Sequence, residues 1–216
     1  MAVLNLEDQL CFYRAYHRNS TNVFVHIVGV PTILFTSIVL LSNIPLPLSS
    51  FSKLASFTNF NSFNALNGDC EWLSYANLGS LLTVCFSLFY LLLDSVYGFI
   101  FSAIISSFTI SINHYMISHG IIGLNSHNNL LIPMNDLNKL AILLFVLSWI
   151  IQFIGHGVFE KRAPALFSNL VQALVLAPFF IFFELMFFAG FRLELKHKMD
   201  KRVDRILYPN NQKKAY

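Results

Sequence analysis

The sequence predicts an all-α integral membrane protein, a single helical bundle of about four to six transmembrane or re-entrant helices. Three observations lead there. Hydrophobic residues make up 56% of the 216 and charged residues 12%, against roughly 45–50% and 25% in soluble domains. Phe occurs 23 times, which suits lipid-facing and interfacial helix surfaces. Five apolar segments are separated by short polar breaks, and no internal repeat accompanies them. At this length the chain, 1–216, reads as one membrane domain with no room for a second.

The elements follow in order. Residues 1–20 carry a short amphipathic helix, with Leu6, Leu10, Tyr13 and His17 near one face and Asp8, Arg14 and Arg18 elsewhere. Asn19-Ser20-Thr21-Asn22 breaks it and offers caps for the next helix. Val23 to Leu41 is long enough to cross the hydrocarbon core, with His26 near its start and a kink expected at Pro31. Residues 43–75 form a Ser- and Asn-rich loop with no expected function. Leu78 to Leu93 and Val96 to Ile117 form a hairpin in which Asp94 caps the second helix. A polar loop, 118–136, contains His119 and His127 and leads to the fourth segment, Leu137 to Phe159. Leu166 to Gly190, interrupted by Pro178, is one kinked span or a re-entrant pair. From Phe191 the tail, 191–216, alternates Lys and Arg with Asp and Glu and is expected to be solvated.

Charge sets an orientation. Arg14 and Arg18 precede the first span, Lys161 and Arg162 follow the fourth, and the tail is basic, so all three should face the cytosol. Both termini are then cytosolic, which requires the fifth segment to dip in and return, or another segment not to cross. The ending Lys213-Lys214-Ala215-Tyr216 matches the dilysine pattern of endoplasmic-reticulum membrane proteins. The net charge of +3 and the lack of an aromatic-and-basic surface pattern exclude nucleic acid as a partner. Cys11, Cys70 and Cys85 have neither disulfide nor zinc spacing. Met1 to Leu10 carries Glu7 and Asp8 and no apolar core, so it does not read as a signal peptide.

The chemistry collects at the end of the fourth segment. Gln152, His156 and Glu160 recur at steps of four, which puts them on one polar stripe if the helix continues. Ionisable residues in an apolar segment are expensive and usually functional. If the first span starts in the cytosol and the fourth returns to it, His17, His26 and His156 share one membrane face with Glu160. Three histidines and a carboxylate have the composition of a non-haem iron or zinc site. The plainer alternative is a helix end, with Glu160, Lys161 and Arg162 marking the water interface and the histidines packed or anchoring. His114, His119, His127 and His197 receive no role.

These residues also carry a resemblance. Phe12-Tyr13-Arg14-Ala15-Tyr16-His17-Arg18-Asn19, Asn22-Val23, His26 and Val30-Pro31-Thr32-Ile33-Leu34-Phe35 resemble the N-terminal signature of the Mpo1-like membrane proteins. Trp149 to Phe153, Gly155-His156-Gly157-Val158-Phe159-Glu160-Lys161-Arg162, Pro164-Ala165-Leu166, Asn169 to Gln172 and Val175 to Pro178 resemble its second signature. The resemblance implies an iron(II)-dependent dioxygenase of the endoplasmic reticulum that shortens 2-hydroxy fatty acids by one carbon. In yeasts that activity serves phytosphingosine breakdown. It carries His17, His26 and His156 over as iron ligands. Glu160, Gln152 and Asn22 carry over as a fourth ligand or as groups that orient the ligands. Many members have a second His where this chain has Arg18. The implied partners are a 2-hydroxy fatty acid, dioxygen and membrane lipid, with the acyl chain lying among the Phe-rich helices.

Two rival readings remain. A diiron hydroxylase or other metal-dependent lipid oxidase would need clustered HxxxH and HxxHH pairs, whereas the seven histidines here are scattered. A membrane transporter or scaffold would use the histidines only structurally, and metal content separates it from both enzymes.

Overall fold

The computed structural model describes residues 4–46, 74–122, 132–161 and 172–207. Among them the chain forms α1 (Leu6–Tyr16), α2 (Ser20–Ser42), α3 (Leu78–Leu93), α4 (Ser95–Ser118) and α5 (Asp136–Ile154), which runs on as a π-helical turn, Gly155–Glu160. A second π-helical turn, Gln172–Leu176, leads into α6 (Ala177–Phe188), and α7 (Leu193–Leu207) follows. The described residues contain no strand, only an isolated bridge between Pro45 and Asn77. The all-α membrane fold is therefore as expected. α2, α4 and the Asp136–Glu160 stretch are each long and apolar enough to cross a membrane. A fourth span results if Leu174–Phe188 and Leu193–Arg205, bent by 115°, count as one broken element. α3 is apolar but has only 16 residues. Most of the 43–75 loop, part of the 118–136 loop and the Lys213-Lys214 ending lie outside the described residues.

The chain divides into two compact units, Met1–Leu34, Phe86–Ser102 and Leu144–Tyr216 in one, Phe35–Cys85 and Ala103–Leu143 in the other. In the first, α6 is apolar apart from Glu184 and buries Pro178, Phe179, Phe180, Ile181, Phe182, Phe183 and Phe187. Phe179, Phe180, Phe182 and Phe183 are packed ring on ring, with Tyr90 stacked on Phe179 and Phe101 on Phe182. These phenyl groups form the core instead of a lipid-facing surface, so the Phe count overstated the lipid contact. The Tyr90 hydroxyl donates to the Val175 carbonyl at 2.7 Å, where the π-helical turn passes into α6. Pro178 sits in the first turn of α6, where its missing N–H is not needed. Asp94 Oδ1 caps α4 by accepting from the Val96 and Tyr97 amides, as its position in the hairpin predicts. Gly98 lets α4 approach the Tyr90 carbonyl, a place where a Cβ would collide.

The second unit is tied by neutral side chains. Asn43 and Asn138 exchange amide hydrogen bonds in both directions, at 3.1 and 2.9 Å. Asn77 donates to Asn113 at 2.9 Å, and the Thr83 and Thr109 hydroxyls meet at 2.7 Å. Such bonds hold apolar helices together where no water competes.

The expectation of a solvated tail holds only in part among the described residues. Within it, α7 is a helix that buries Met199 and Val203 in the first unit. These two residues are four apart and so share a face, a stripe that the dense charge on the other faces concealed. The charges are not idle either. Arg202 pairs with Asp8 at 2.6 Å and with Glu7 at 3.6 Å. Arg14 reaches Asp200 at 3.2 Å and the α6 residue Glu184 at 3.4 Å, and Arg18 reaches Asp204 at 2.9 Å. Cys11 of α1 lies beside the Met199 carbonyl.

Replacing Met199, which is 1% exposed, by Ala should lower the unfolding free energy by about 2–5 kcal/mol. Thermal denaturation in detergent would show this as an earlier transition, while Lys201→Ala on the exposed face of α7 should leave it in place.

Candidate metal centre

α1 stops at Tyr16 and α2 starts at Ser20, so the break expected near Asn19 falls at 17–19. His17 occupies the C-cap of α1, its amide bonded to the Arg14 carbonyl. The Asn19 side-chain oxygen accepts from the amides of Thr21 and Asn22, which starts α2. This reversal brings His17 and His26, nine residues apart, to ring centroids 4.5 Å from each other. His156 completes the group from the π-helical turn, 4.8 Å from His17 and 4.7 Å from His26. All three are buried.

The hydrogen bonds around the rings fix which nitrogens face inward. His17 Nδ1 lies 2.9 Å from the Tyr13 carbonyl and His26 Nδ1 lies 2.9 Å from the Asn22 carbonyl. A carbonyl can only accept, so each Nδ1 carries the proton and each Nε2 keeps its lone pair. His26 Nε2 is 3.1 Å from His156 Nε2. His17 Nε2 and His156 Nδ1 are buried without a partner. Candidate ligand atoms of the three rings lie within 4.8 Å of one another. Two neighbouring nitrogens each about 2.1 Å from one ion would be separated by about 3 Å. The His26–His156 pair already has that separation. Three imidazoles with orphaned or inward-facing nitrogens therefore fit a metal ion, and imidazole suits several divalent transition metals. Burial, with His26 as the next cause, holds the His17 pKa well below the ordinary imidazole range. It is neutral at neutral pH, the form that ligates.

The other three candidates surround the triad. Glu160 Oε1 accepts from the amides of Arg18 (2.8 Å) and Asn19 (2.9 Å) and from Asn22 Nδ2 (3.2 Å). Asn22 is fully buried, and its carboxamide oxygen has no partner. Gln152 Nε2 donates to the Val25 carbonyl at 3.3 Å and fills the space beside Gly29 that a Cβ would need. The stripe at 152, 156 and 160 thus faces α2 in full, although the helix widens to a π turn after Ile154. Such turns are frequent at functional sites. The Arg18 side chain is directed to Asp204 on α7 and its amide to Glu160. His114, His119 and His197 are exposed and outside the cluster, and His127 lies outside the described residues.

One neighbour was not singled out from the sequence. Tyr13 stacks on His17 with centroids 4.0 Å apart and planes at 17°, and its hydroxyl is buried without a partner. The signal was available, since Tyr13 stands four residues before His17 on the buried face of α1.

Comparisons with known proteins agree on one family. A family model described as "2-hydroxy-palmitic acid dioxygenase Mpo1-like" matches residues 3–189. The 2-hydroxy-palmitic acid dioxygenase MPO1 of Saccharomyces cerevisiae (strain ATCC 204508 / S288c) is 36% identical over 203 residues, covering 94% of this chain and 91% of the yeast protein. No solved structure matches.

The geometry separates two adjacent glycines. A Cβ at Gly155 would press on Asn22 Oδ1, whereas one at Gly157 meets nothing within 4 Å. Gly155→Ala should displace the Asn22 amide and weaken metal binding by about 10–100-fold, and Gly157→Ala should leave a metal titration unchanged. Equal titrations for the two variants would contradict this placement of Asn22.

Proposed function

The chain belongs to the Mpo1-like family, and on that footing we propose an iron(II)-dependent dioxygenase that shortens 2-hydroxy fatty acids by one carbon, releasing carbon dioxide, in phytosphingosine and sphingolipid degradation. The observation that carries the reading is the triad, with two imidazoles held by backbone carbonyls at Nδ1 so that their Nε2 lone pairs stay available. His17, His26 and His156 are the ligands in this reading. Glu160 and Asn22 hold the α1–α2 connection against the π-helical turn, and Gln152 sets the approach of α5 to α2.

The overall reaction balances without a co-reductant. A 2-hydroxy acid and one dioxygen give the acid one carbon shorter, carbon dioxide and water. The substrate loses four electrons and dioxygen takes up four. Iron(II), when bound, supplies the unpaired electrons that let dioxygen react with a closed-shell acid. The hydroxyl and carboxylate of the substrate sit on adjacent carbons, which suits binding at a single ion with open positions. Phe179, Phe180, Phe182 and Phe183 of α6 are buried, so the acyl tail is placed along exposed apolar residues flanking the triad, Phe24 and Val28 of α2, Ile154 of α5 and Val158 of the π-helical turn. The protein's own groups keep the head of the substrate in a dry, histidine-lined site and leave the tail to the lipid.

The enzyme is assigned to the endoplasmic-reticulum membrane with both termini cytosolic. The ion pairs between α1 and α7 support the common side, because they hold the two ends of the described chain together. Tags at the two termini should both be digested by protease added to sealed microsomes. A protected C-terminal tag would overturn the assignment.

Purified protein given iron(II), oxygen and 2-hydroxypalmitate should form pentadecanoic acid. His17→Ala, His26→Ala and His156→Ala should each lose metal and turnover while still inserting in the membrane. Full turnover by thoroughly chelated, metal-free wild type would sink the reading. Glu160→Gln should bind iron about 10–100-fold more weakly yet fill at high iron, and an unchanged titration would remove Glu160 from the site.

A further inference from the structure

We propose that the Tyr13 hydroxyl binds substrate, donating a hydrogen bond to the carboxylate of the 2-hydroxy acid held at the triad. The proposal rests on the function given above and adds to it a fourth catalytic residue.

Four observations carry it. Tyr13 is buried, at 6% exposure, and its hydroxyl has no hydrogen-bond partner. Leaving such a group unpaired is costly, and native structures rarely do so without a reason. Phe would fill the same volume without the cost. The second observation is the stack of Tyr13 on His17. His17 Nδ1 turns back to the Tyr13 carbonyl on α1, so its Nε2 points away from the α1 backbone. The Tyr13 ring lies nearly parallel to that imidazole, so its buried hydroxyl belongs to the same packed neighbourhood as the triad.

The company of the orphan is the third observation. Six buried side-chain polar atoms lack a partner among the described residues. Tyr13 Oη, His17 Nε2, His156 Nδ1 and Asn22 Oδ1 are four of them, and all belong to the triad or to residues in contact with it. Unsatisfied groups collected at one place mark a site built for something that arrives later.

Last, the nearby charges select the class of ligand. Glu160 Oε1 already accepts three hydrogen bonds, and Glu184 and Asp200 share Arg14. None of these bonds involves Tyr13, whose O–H is left as a donor for an incoming acceptor. The carboxylate of a 2-hydroxy acid is that acceptor, and hydrogen bonds to charged groups are the stronger kind.

The test uses the full-length protein in detergent or nanodiscs and the variant Tyr13→Phe, with Ser87→Ala as a control that removes an orphan hydroxyl elsewhere. Three quantities are read: iron stoichiometry, thermal transition without substrate, and anaerobic binding of 2-hydroxypalmitate by calorimetry. Tyr13→Phe should keep its iron, melt at the same or a higher temperature, and bind 2-hydroxypalmitate about tenfold or more weakly. Ser87→Ala should bind it like wild type. Equal binding by Tyr13→Phe and wild type overturns the proposal while leaving the dioxygenase reading standing. Loss of iron together with a lower transition also overturns it, because the hydroxyl is then structural. Wild type that binds neither iron nor 2-hydroxypalmitate overturns both.

Discussion

One carboxylate oxygen holds the site in register. Glu160 Oε1 receives two backbone amides from the α1–α2 connection and the side-chain amide of Asn22. The carboxylate thus stands at the start of α2, where a negative charge is favoured by the helix dipole. Hydrogen bonds to an ionised acceptor are stronger than neutral ones. The bond set joins residues about 140 apart in sequence and ties the π-helical turn that carries His156 to the α1–α2 connection. His17 and His26 flank the connection, and His156 stands one turn before the carboxylate.

Close backbone approach does the rest. Gly29 leaves room for the Gln152 amide and Gly155 leaves room for Asn22. Small residues are how membrane helices come near enough for directional contacts, since apolar side chains gain little by leaving lipid for protein. The two units solve this differently. The unit around the triad combines glycines with charged pairs at its α1 and α7 surfaces, whereas the other relies on paired carboxamides and hydroxyls.

Much of this was legible from residue spacing. Five apolar segments, a hairpin capped by Asp94 and a break before the first span all follow from patterns of one or two turns, and the structure has them. The proximity of the three histidines was legible because the orientation expected from the charges put them at one membrane face. What spacing could not supply was handedness of detail. The widening after Ile154 changes the helix by a fraction of a residue per turn, and no single residue type demands it. The buried face of α7 was missed for a different reason: Met199 and Val203 are two apolar residues among many charges, and their value appears only when α1 offers a matching surface. The phenyl groups of α6 misled because a run of aromatic residues reads alike whether it faces lipid or protein.

The pairing of α1 with α7 also orders events in time. α1 carries His17 and is synthesised before the candidate spans, while Asp200, Arg202 and Asp204, which fasten it, follow them. The contacts that hold α1 therefore become available only after the candidate spans have been made. A half-made chain already holds His26 in its first span, but it lacks the partners that fix His17 and the segment that brings His156. A chain cut before α7 would keep all three histidines yet lack the ion pairs that hold α1, so the cluster depends on a segment that contributes none of its members.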